Sequence, residues 1–538
     1  MKHRTQALIA MASASLLLVA AAGCGGDGAG KKAGAKEVII AYATDVDTLD
    51  PHQLRSEAAY GVVGNIYGTL MQEEYSAPAD GVLKYTGKST LYLAQSATWN
   101  KDRTTLTFKL RPDAVFADGR PITSEDVVYS LRRALSDVGY ASAIGTWLNI
   151  SDPEKGIVAV DTSTVDVKVT HYSPLIEKFL AFQLFPMLDR SAAEKAAGSD
   201  DPWAAGFFGK DATESGPYVI DSQVKGQSLT LVKNKAFKAS DTADAPDRVV
   251  VQNMPDPQQA FLALQNGAVD IVTGLTPDLA QAVERDPDLK LYELAYSDVA
   301  FLGMNNKDPV LKDARVRRAI SHLIPYQTLR DEVMKGYSGA AYGAVPYPMS
   351  DALDPTGEKI AYPTDVNAAK KLLDEAGIKP GELSLTLSVQ ASDTVLRQSA
   401  IFIQSALAQA GIALKVNEMN DADFSTNLGK LQMFLDSWYS WGQDSIYQLF
   451  FLLKSGVFTN YTGFSDKKLD KLIEQAMATT DPGERRALSR QAQRIVVDQA
   501  PWAFLFTRNV LIGAKSTVSG ITHSDDANLR YDRLRIAQ

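Results

Sequence analysis

Cysteine is nearly absent from this chain: Cys24 is the only one among 538 residues. Beyond that position the chain can form no internal disulfide, no cysteine-ligated metal site and no thiol nucleophile. Histidine is scarce too. His3, His52, His171, His322 and His523 are scattered and show no short zinc-binding spacing, so no metal site and no cofactor are expected. No nucleophile elbow and no His-Glu-x-x-His pattern occurs, which argues against the common hydrolase chemistries. Basic charge is in deficit, with 55 Lys and Arg against 64 Asp and Glu, a net charge of −9. The pI near 5.3 argues against a nucleic-acid partner and against a polybasic membrane surface. Gly87-Lys88-Ser89-Thr90 looks like the end of a phosphate loop, but the required earlier glycine would fall at Val82. There is no internal repeat. What the chain does have is length, with 45% apolar and 22% charged residues. That is ordinary globular composition and too much chain for one core, so two or three lobes are expected.

The N-terminus carries Lys2, His3 and Arg4, then a mostly apolar stretch from Ala7 to Ala22, then Gly23-Cys24. A positive start, a short apolar segment and small residues before a cut form a secretory signal peptide, assigned to residues 1–23. The run is shorter than the ~20 residues a bilayer-crossing helix needs, and it contains Ser13 and Ser15. The cysteine after small residues resembles a bacterial lipobox, whose thiol takes a diacylglyceryl group and becomes the mature N-terminus. Ala21 stands where that pattern prefers Leu. Acyl chains would bury methylenes at about 0.8 kcal/mol each, enough for stable anchoring. Residues 24–36, rich in Gly, Ala and Lys, read as a flexible tether. The expected location is therefore extracytoplasmic and held to the cell membrane by lipid.

From Val38 onward strands and helices alternate irregularly. Residues 38–42, 105–111, 228–233, 269–272, 383–389 and 413–416 read as strands. Residues 124–134 read as a helix capped by Thr123; others are expected at 258–266, 325–335, 367–376, 396–410, 467–477 and 482–499. The class is mixed α and β with several sheets.

Residues 93–135 hold Leu93-Ala94, Trp99, Asp102, Phe108-Lys109-Leu110-Arg111, Phe116-Ala117-Asp118-Gly119 and Glu125-Asp126-Val127. This block resembles the signature of the family 5 solute-binding proteins of ABC importers, the oligopeptide, dipeptide and nickel type. Leu49-Asp50-Pro51, Ser215-Gly216-Pro217-Tyr218, Asp313 to Ala319, Ala369 to Gly377, Asp470 and Ala500-Pro501 resemble further landmarks of that family, in order. The resemblance implies an α/β, two-lobed periplasmic-binding-protein fold of the large type II class. Lobe one would span 37–300 with an inserted subdomain at about 69–195. Lobe two would span 301–501, and residues 502–538 would return to lobe one. It also implies a monomer without enzymatic activity that closes its lobes over a solute, most readily an oligopeptide, and hands it to an ABC permease with its ATPase. An oligosaccharide or a nickel chelate is the alternative within the family. An extracellular peptidase or a surface sensor without transport is the alternative outside it.

In peptide-binding relatives a Gly-Trp-x-x-Asp segment supplies the carboxylate for the ligand's ammonium. The matching segment here is Trp438-Tyr439-Ser440-Trp441, so Trp441 stands at the Asp position. Asp444 or Glu57 is the expected substitute. Trp438, Tyr439 and Trp441 suit stacking on a sugar face, an apolar side chain or a cation, or else are core aromatics at a lobe boundary. In the first lobe, Arg55 suits a carboxylate and Glu57 an ammonium, with Ser56 between them. Asn306 lies at the crossing into lobe two, to bond ligand or to satisfy hinge backbone. Arg111 and Asp126 read as scaffold, an ion pair or a cap.

Overall fold

The computed structural model describes residues 36–537, apart from 77, 78, 140, 174, 347, 348, 350, 354–361 and 525, with the backbone alone at 146 and 441. The expected leader, Cys24 and the tether through Ala35 lie outside these residues.

An eleven-stranded sheet runs through the molecule. Its middle is a pair of long antiparallel strands, Leu289–Met304 and Trp502–Lys515. On one side follow Met433–Tyr439, Ser384–Gln390 and Ala413–Met419; on the other follow Ile271–Val272, Glu37–Tyr42, Arg248–Asn253, Ser228–Lys233 and Tyr218–Val224. The short strand Ser338–Ala340 also pairs with Trp502–Lys515. Each arm has its own packing. Leu302, Leu385, Leu387, Leu435 and Leu505 bury against helices Ala314–Leu323 and Thr394–Ala408 in one core. Val272, Leu264, Leu279 and Leu511 bury in another. Each such side chain contributes about 1.5–3 kcal/mol of transfer free energy. The two central strands therefore begin in one core and end in another.

Their pairing is interrupted once in a way that matters. Ala295 faces Asn509 and Val299 faces Thr507, so four steps along one strand meet two along the other. Extra residues in one strand bend it and re-aim side chains. Asp298 sits in this bulge, and its strand partner on the other side is Tyr439.

A separate antiparallel sheet, Ala94–Trp99, Thr105–Leu110, Thr164–Lys168 and Ile157–Asp161, packs under helix Ser124–Ala134. Asp126 accepts from Thr123 N and Oγ1, at 2.8 and 2.7 Å, and pairs with Arg120 at 2.9 Å. Asp126 is thus a cap and scaffold ion, while Arg111 pairs with Asp113 rather than with Asp126. Arg133 on the same helix and Asp50 form a bidentate pair in which both side chains are wholly inaccessible.

Most expected elements occur within two residues of their expected ends. Residues 325–335 differ: Pro325 precedes one short turn, Tyr326–Thr328, and a π-turn, Leu329–Val333, in place of a regular helix. Gly87 to Thr90 lie inside strand Val82–Leu91 and open no helix. Among the described residues no helix is long and apolar enough to cross a membrane.

Candidate functional site

The bulge in the central pair opens onto a cavity of about 470 Å³. Its lining is charged: Arg55 and Glu57 from the start of helix Glu57–Ile66, Asp298 and Arg508 from the two central strands, and Asp526 from the C-terminal segment. Tyr60 and Tyr439 complete the wall.

Three carboxylates gather around one guanidinium here. Arg508 Nη1 lies 2.8 Å from Asp393 Oδ2 and 3.4 Å from Ser437 Oγ. Asp298 and Asp436 are the other two acids. Burial pushes Asp298 up to about 6, against the pull of Arg508. Burial also pushes Asp436 up to about 7, and the neighbouring carboxylates of Asp298 and Asp393 add to the shift. One cation cannot neutralise three anions, so near neutral pH this group holds protons readily. Asp298 Oδ1 is closed to solvent and accepts from no described group. The arrangement is an anionic floor with a single cation.

A second cavity of about 350 Å³ lies beside the first, and Tyr439 lines both. Its walls are apolar: Ile144, Trp438, Tyr447, Phe451 and Phe458. The Trp438 and Phe451 rings lie 24° from parallel with centroids 6.4 Å apart. Trp147 backs this nest, its ring 5.5 Å from Tyr447 and 5.4 Å from Phe450. Residues 143–147 thereby meet residues 437–459 across the cavity.

The expected site residues divide into two sets. Arg55, Glu57, Trp438 and Tyr439 line the paired cavities. Ser56, Asn306 and Asp444 make scaffold contacts, and for Asn306 this is the hinge-backbone alternative. Ser56 caps helix Glu57–Ile66, accepting from Ala59 N at 3.2 Å and donating to Asp47 at 2.7 Å. Asn306 donates from Nδ2 to Met304 O at 2.9 Å, and its amide donates to Thr462 O. Asp444 caps helix Ser445–Leu453 through Ile446 N and Tyr447 N, at 3.0 and 2.9 Å, and pairs with Arg485. Burial pushes its carboxyl up, but Arg485 and the helix amides outweigh this and hold it below the usual range. Its carboxylate is thus engaged by the helix start and by Arg485. Trp441 is placed by its backbone alone, in the turn Trp441–Gln443, and its side chain lies outside the described residues. That turn needs positive φ at Gly442, whose carbonyl accepts from Lys178 Nζ at 3.0 Å.

Sequence reasoning passed over Asp298, Asp393, Asp436, Arg508, Phe451 and Phe458. A usable signal existed for three of them. Asp298, Asp436 and Arg508 are the single charges of mostly apolar stretches, Tyr-Ser-Asp-Val-Ala-Phe, Phe-Leu-Asp-Ser-Trp and Leu-Phe-Thr-Arg-Asn-Val. A charge in such a strand is rare unless it is paired or functional.

Residues 90–460 match the family described as bacterial extracellular solute-binding proteins, family 5 Middle. The chain belongs to this family. This family 5 protein is 29% identical over 493 residues to the "Probable D,D-dipeptide-binding periplasmic protein DdpA" of Escherichia coli strain K12, covering 90% of each chain. Its fold is that of the periplasmic binding protein DppA from Helicobacter pylori, solved with the peptide STSA, at a TM-score of 0.80 and 22% identity over 93% of this chain and 98% of that one. NikZ from Campylobacter jejuni, solved with Ni(L-His), matches at a TM-score of 0.77 and 20% identity, over 93% and 99%. The two-lobed α/β architecture expected of a family 5 protein is therefore present.

Proposed function

We propose that this family 5 protein is the peptide-capturing receptor of an ABC importer, tethered outside the cell membrane through a lipidated Cys24. The observation that carries the peptide reading is the charge layout of the 470 Å³ cavity. Asp298 on the cavity wall belongs to an acidic group with Asp393 and Asp436 that outnumbers Arg508, and it suits a ligand ammonium; Arg55, which lines the same cavity, suits a carboxylate. A short peptide is a zwitterion with these two ends. In this reading Asp298 and Asp436 take the place of the ammonium anchor that the Trp438–Trp441 segment lacks. Recognition of a dipeptide by a relative, as the name of the Escherichia coli protein states, supports the same class.

Capture then works by closure. The two central strands join the cores on either side, and a ligand that bridges both walls favours the closed arrangement through its differential contacts. The protein binds and releases its solute unchanged, for delivery to a permease driven by a cytosolic ATPase. Thermal shift and calorimetry with Ala-Ala and its N-acetylated form test this. The free peptide should raise the melting temperature and the acetylated form should not, because acetylation removes the ammonium. No response to any peptide, with a response to an oligosaccharide, moves the ligand to the sugar class. A nickel chelate remains the alternative, with only His52, His171, His322 and His523 beyond the expected leader to meet it.

A further inference from the structure

The peptide reading leaves the second cavity unused, and its construction is unlike the first. Phe458 is 68% exposed, the most open of the large apolar side chains among the described residues. It stands at the rim of an aromatic nest whose inner wall, Tyr447 and Phe451, is almost wholly buried. An exposed phenylalanine on its own needs no explanation. One that rims a 350 Å³ apolar cavity opening beside an anionic floor does.

Two connections tie this nest to the charged cavity. Tyr439 lines both. Ser437, also on the wall of the nest, accepts from Arg508 at 3.4 Å. A ligand held by its ammonium near Asp298 therefore passes Tyr439 with its neighbouring substituent directed at the nest. The nest has no charged side chain in its lining, so a carboxylate or ammonium entering it would lose hydration without a partner. Trp438 Nε1–H is closed to solvent and meets no acceptor among the described residues.

We infer that the nest of Ile144, Trp438, Tyr447, Phe451 and Phe458 is a selectivity subsite for a large apolar, preferably aromatic, side chain on an amine-bearing ligand. This rests on the peptide reading for the ligand's main chain, while the subsite itself rests on the apolar lining. Residues 143–144 supply one wall and residues 437–459 the rest, so a bulky side chain would be gripped between segments far apart in the chain. Selectivity and closure are then the same event.

The test is calorimetric titration of the full mature chain with Ala-Ala, Ala-Leu, Ala-Phe, Phe-Ala and Ala-Glu, and with phenethylamine against ethylamine. At least one of the two Phe peptides should bind ten times or more tighter than Ala-Ala, and Ala-Glu should bind worse than either. Phe458→Ser removes an exposed ring and leaves the fold intact; it should reduce the preference for Phe over Ala by about fivefold or more. Leu262→Ser, at another exposed apolar residue that lines neither cavity, should leave that preference unchanged. Equal affinity for the Phe and Ala peptides overturns the subsite and leaves the peptide reading standing. Failure of every peptide, with phenethylamine still bound in a Phe458-dependent way, overturns the peptide reading and leaves the subsite standing. Failure of peptides and amines alike overturns both.

Discussion

Phe301 and Trp502 stack face to face, with ring centroids 3.6 Å apart and planes 7° from parallel. They sit on adjacent central strands, where Gly303 is the strand partner of Trp502 and Phe301 that of Phe504. Phe434 closes the cluster edge-on to Phe301, and it lies so tightly over Gly303 that a Cβ there would run into its ring. The stack bolts together the two strands that join one core to the next. Trp502→Ala and Phe301→Ala should each cost about 3–5 kcal/mol. The double variant should fall short of additivity by about 1 kcal/mol. Chemical denaturation of the four proteins measures this, and strict additivity would show that the stack contributes nothing of its own.

Asp50 and Arg133 should behave as a single unit. Asp50→Ala leaves a guanidinium with no counter-ion in a site that water does not reach. The expected loss is about 3–5 kcal/mol, whereas replacing both residues with apolar side chains of similar volume should cost much less. Melting of the two variants side by side decides it.

His52 adds an acid dependence to the same place. Arg133 Nη1 lies 2.6 Å from His52 Nδ1, which must be unprotonated to accept it. Burial, and then Arg133, push the imidazole well below 6.5. An unfolded chain takes up that proton below about pH 6.5 and the folded chain refuses it, so stability is full above 6.5 and falls as the pH drops further. His52→Gln should flatten the decline in melting temperature between pH 6.5 and 5. Identical slopes in the two proteins would be inconsistent with this assignment.

The anionic floor should make ligand capture pH-dependent in the direction set by its raised carboxyls. With Asp298 near 6 and Asp436 near 7, acidification protonates both and removes the charge that attracts an ammonium. Ala-Ala affinity should therefore weaken from pH 8 to pH 5.5, with Asp393 and Arg508 setting the residual field. For the empty protein the sign is opposite. The folded state holds these protons more tightly than the unfolded state, so the acids cost stability at pH 8 and that cost disappears as the pH falls. Asp436→Asn should raise the melting temperature more at pH 8 than at pH 5.5 and reduce the pH dependence of binding. An unaltered binding profile in this variant would remove Asp436 from the site.

Asp444→Asn separates scaffold from site. Loss of the Arg485 pair, which is only slightly exposed, should lower stability by about 2 kcal/mol. Dipeptide affinity should stay within about twofold, since the carboxylate is turned to the helix and to Arg485. A tenfold loss of affinity at unchanged stability would return Asp444 to the ligand.

Cys24→Ser bears on the tether. If the thiol carries lipid, the variant should leave the membrane fraction and lose incorporation of labelled fatty acid, with ligand affinity unchanged. Retention at the membrane with no label in either protein would refute the anchor.

Local order was legible in the chain. Alternation in residues 228–233 and 383–389, the cap at Thr123, and the glycine after residues 258–266 each follow from the conformations a few neighbouring residues prefer, and all appear in the fold. The signature block was legible too, because Asp126, Thr123 and Arg120 satisfy one another within seven residues. The long central strands were not. From Val299 to Met304 every residue is buried, since both faces of the sheet are covered, and the two-residue rhythm that marks a strand vanishes. The site depends on that hidden part. Asp298, Asp393, Asp436 and Arg508 are brought together by strand order and by the bulge after Ala295, and no spacing in the sequence encodes a pairing across more than two hundred residues. Asp444 shows the same division in reverse: its charge was visible, but only the placement of Arg485 and the helix start determined that the charge was already in use. The family was readable from motifs spread along the chain, and the class and most element ends from short-range preferences. Which acids share Arg508 depends on the tertiary structure, because burial and charge neighbourhood exist only once distant strands have paired.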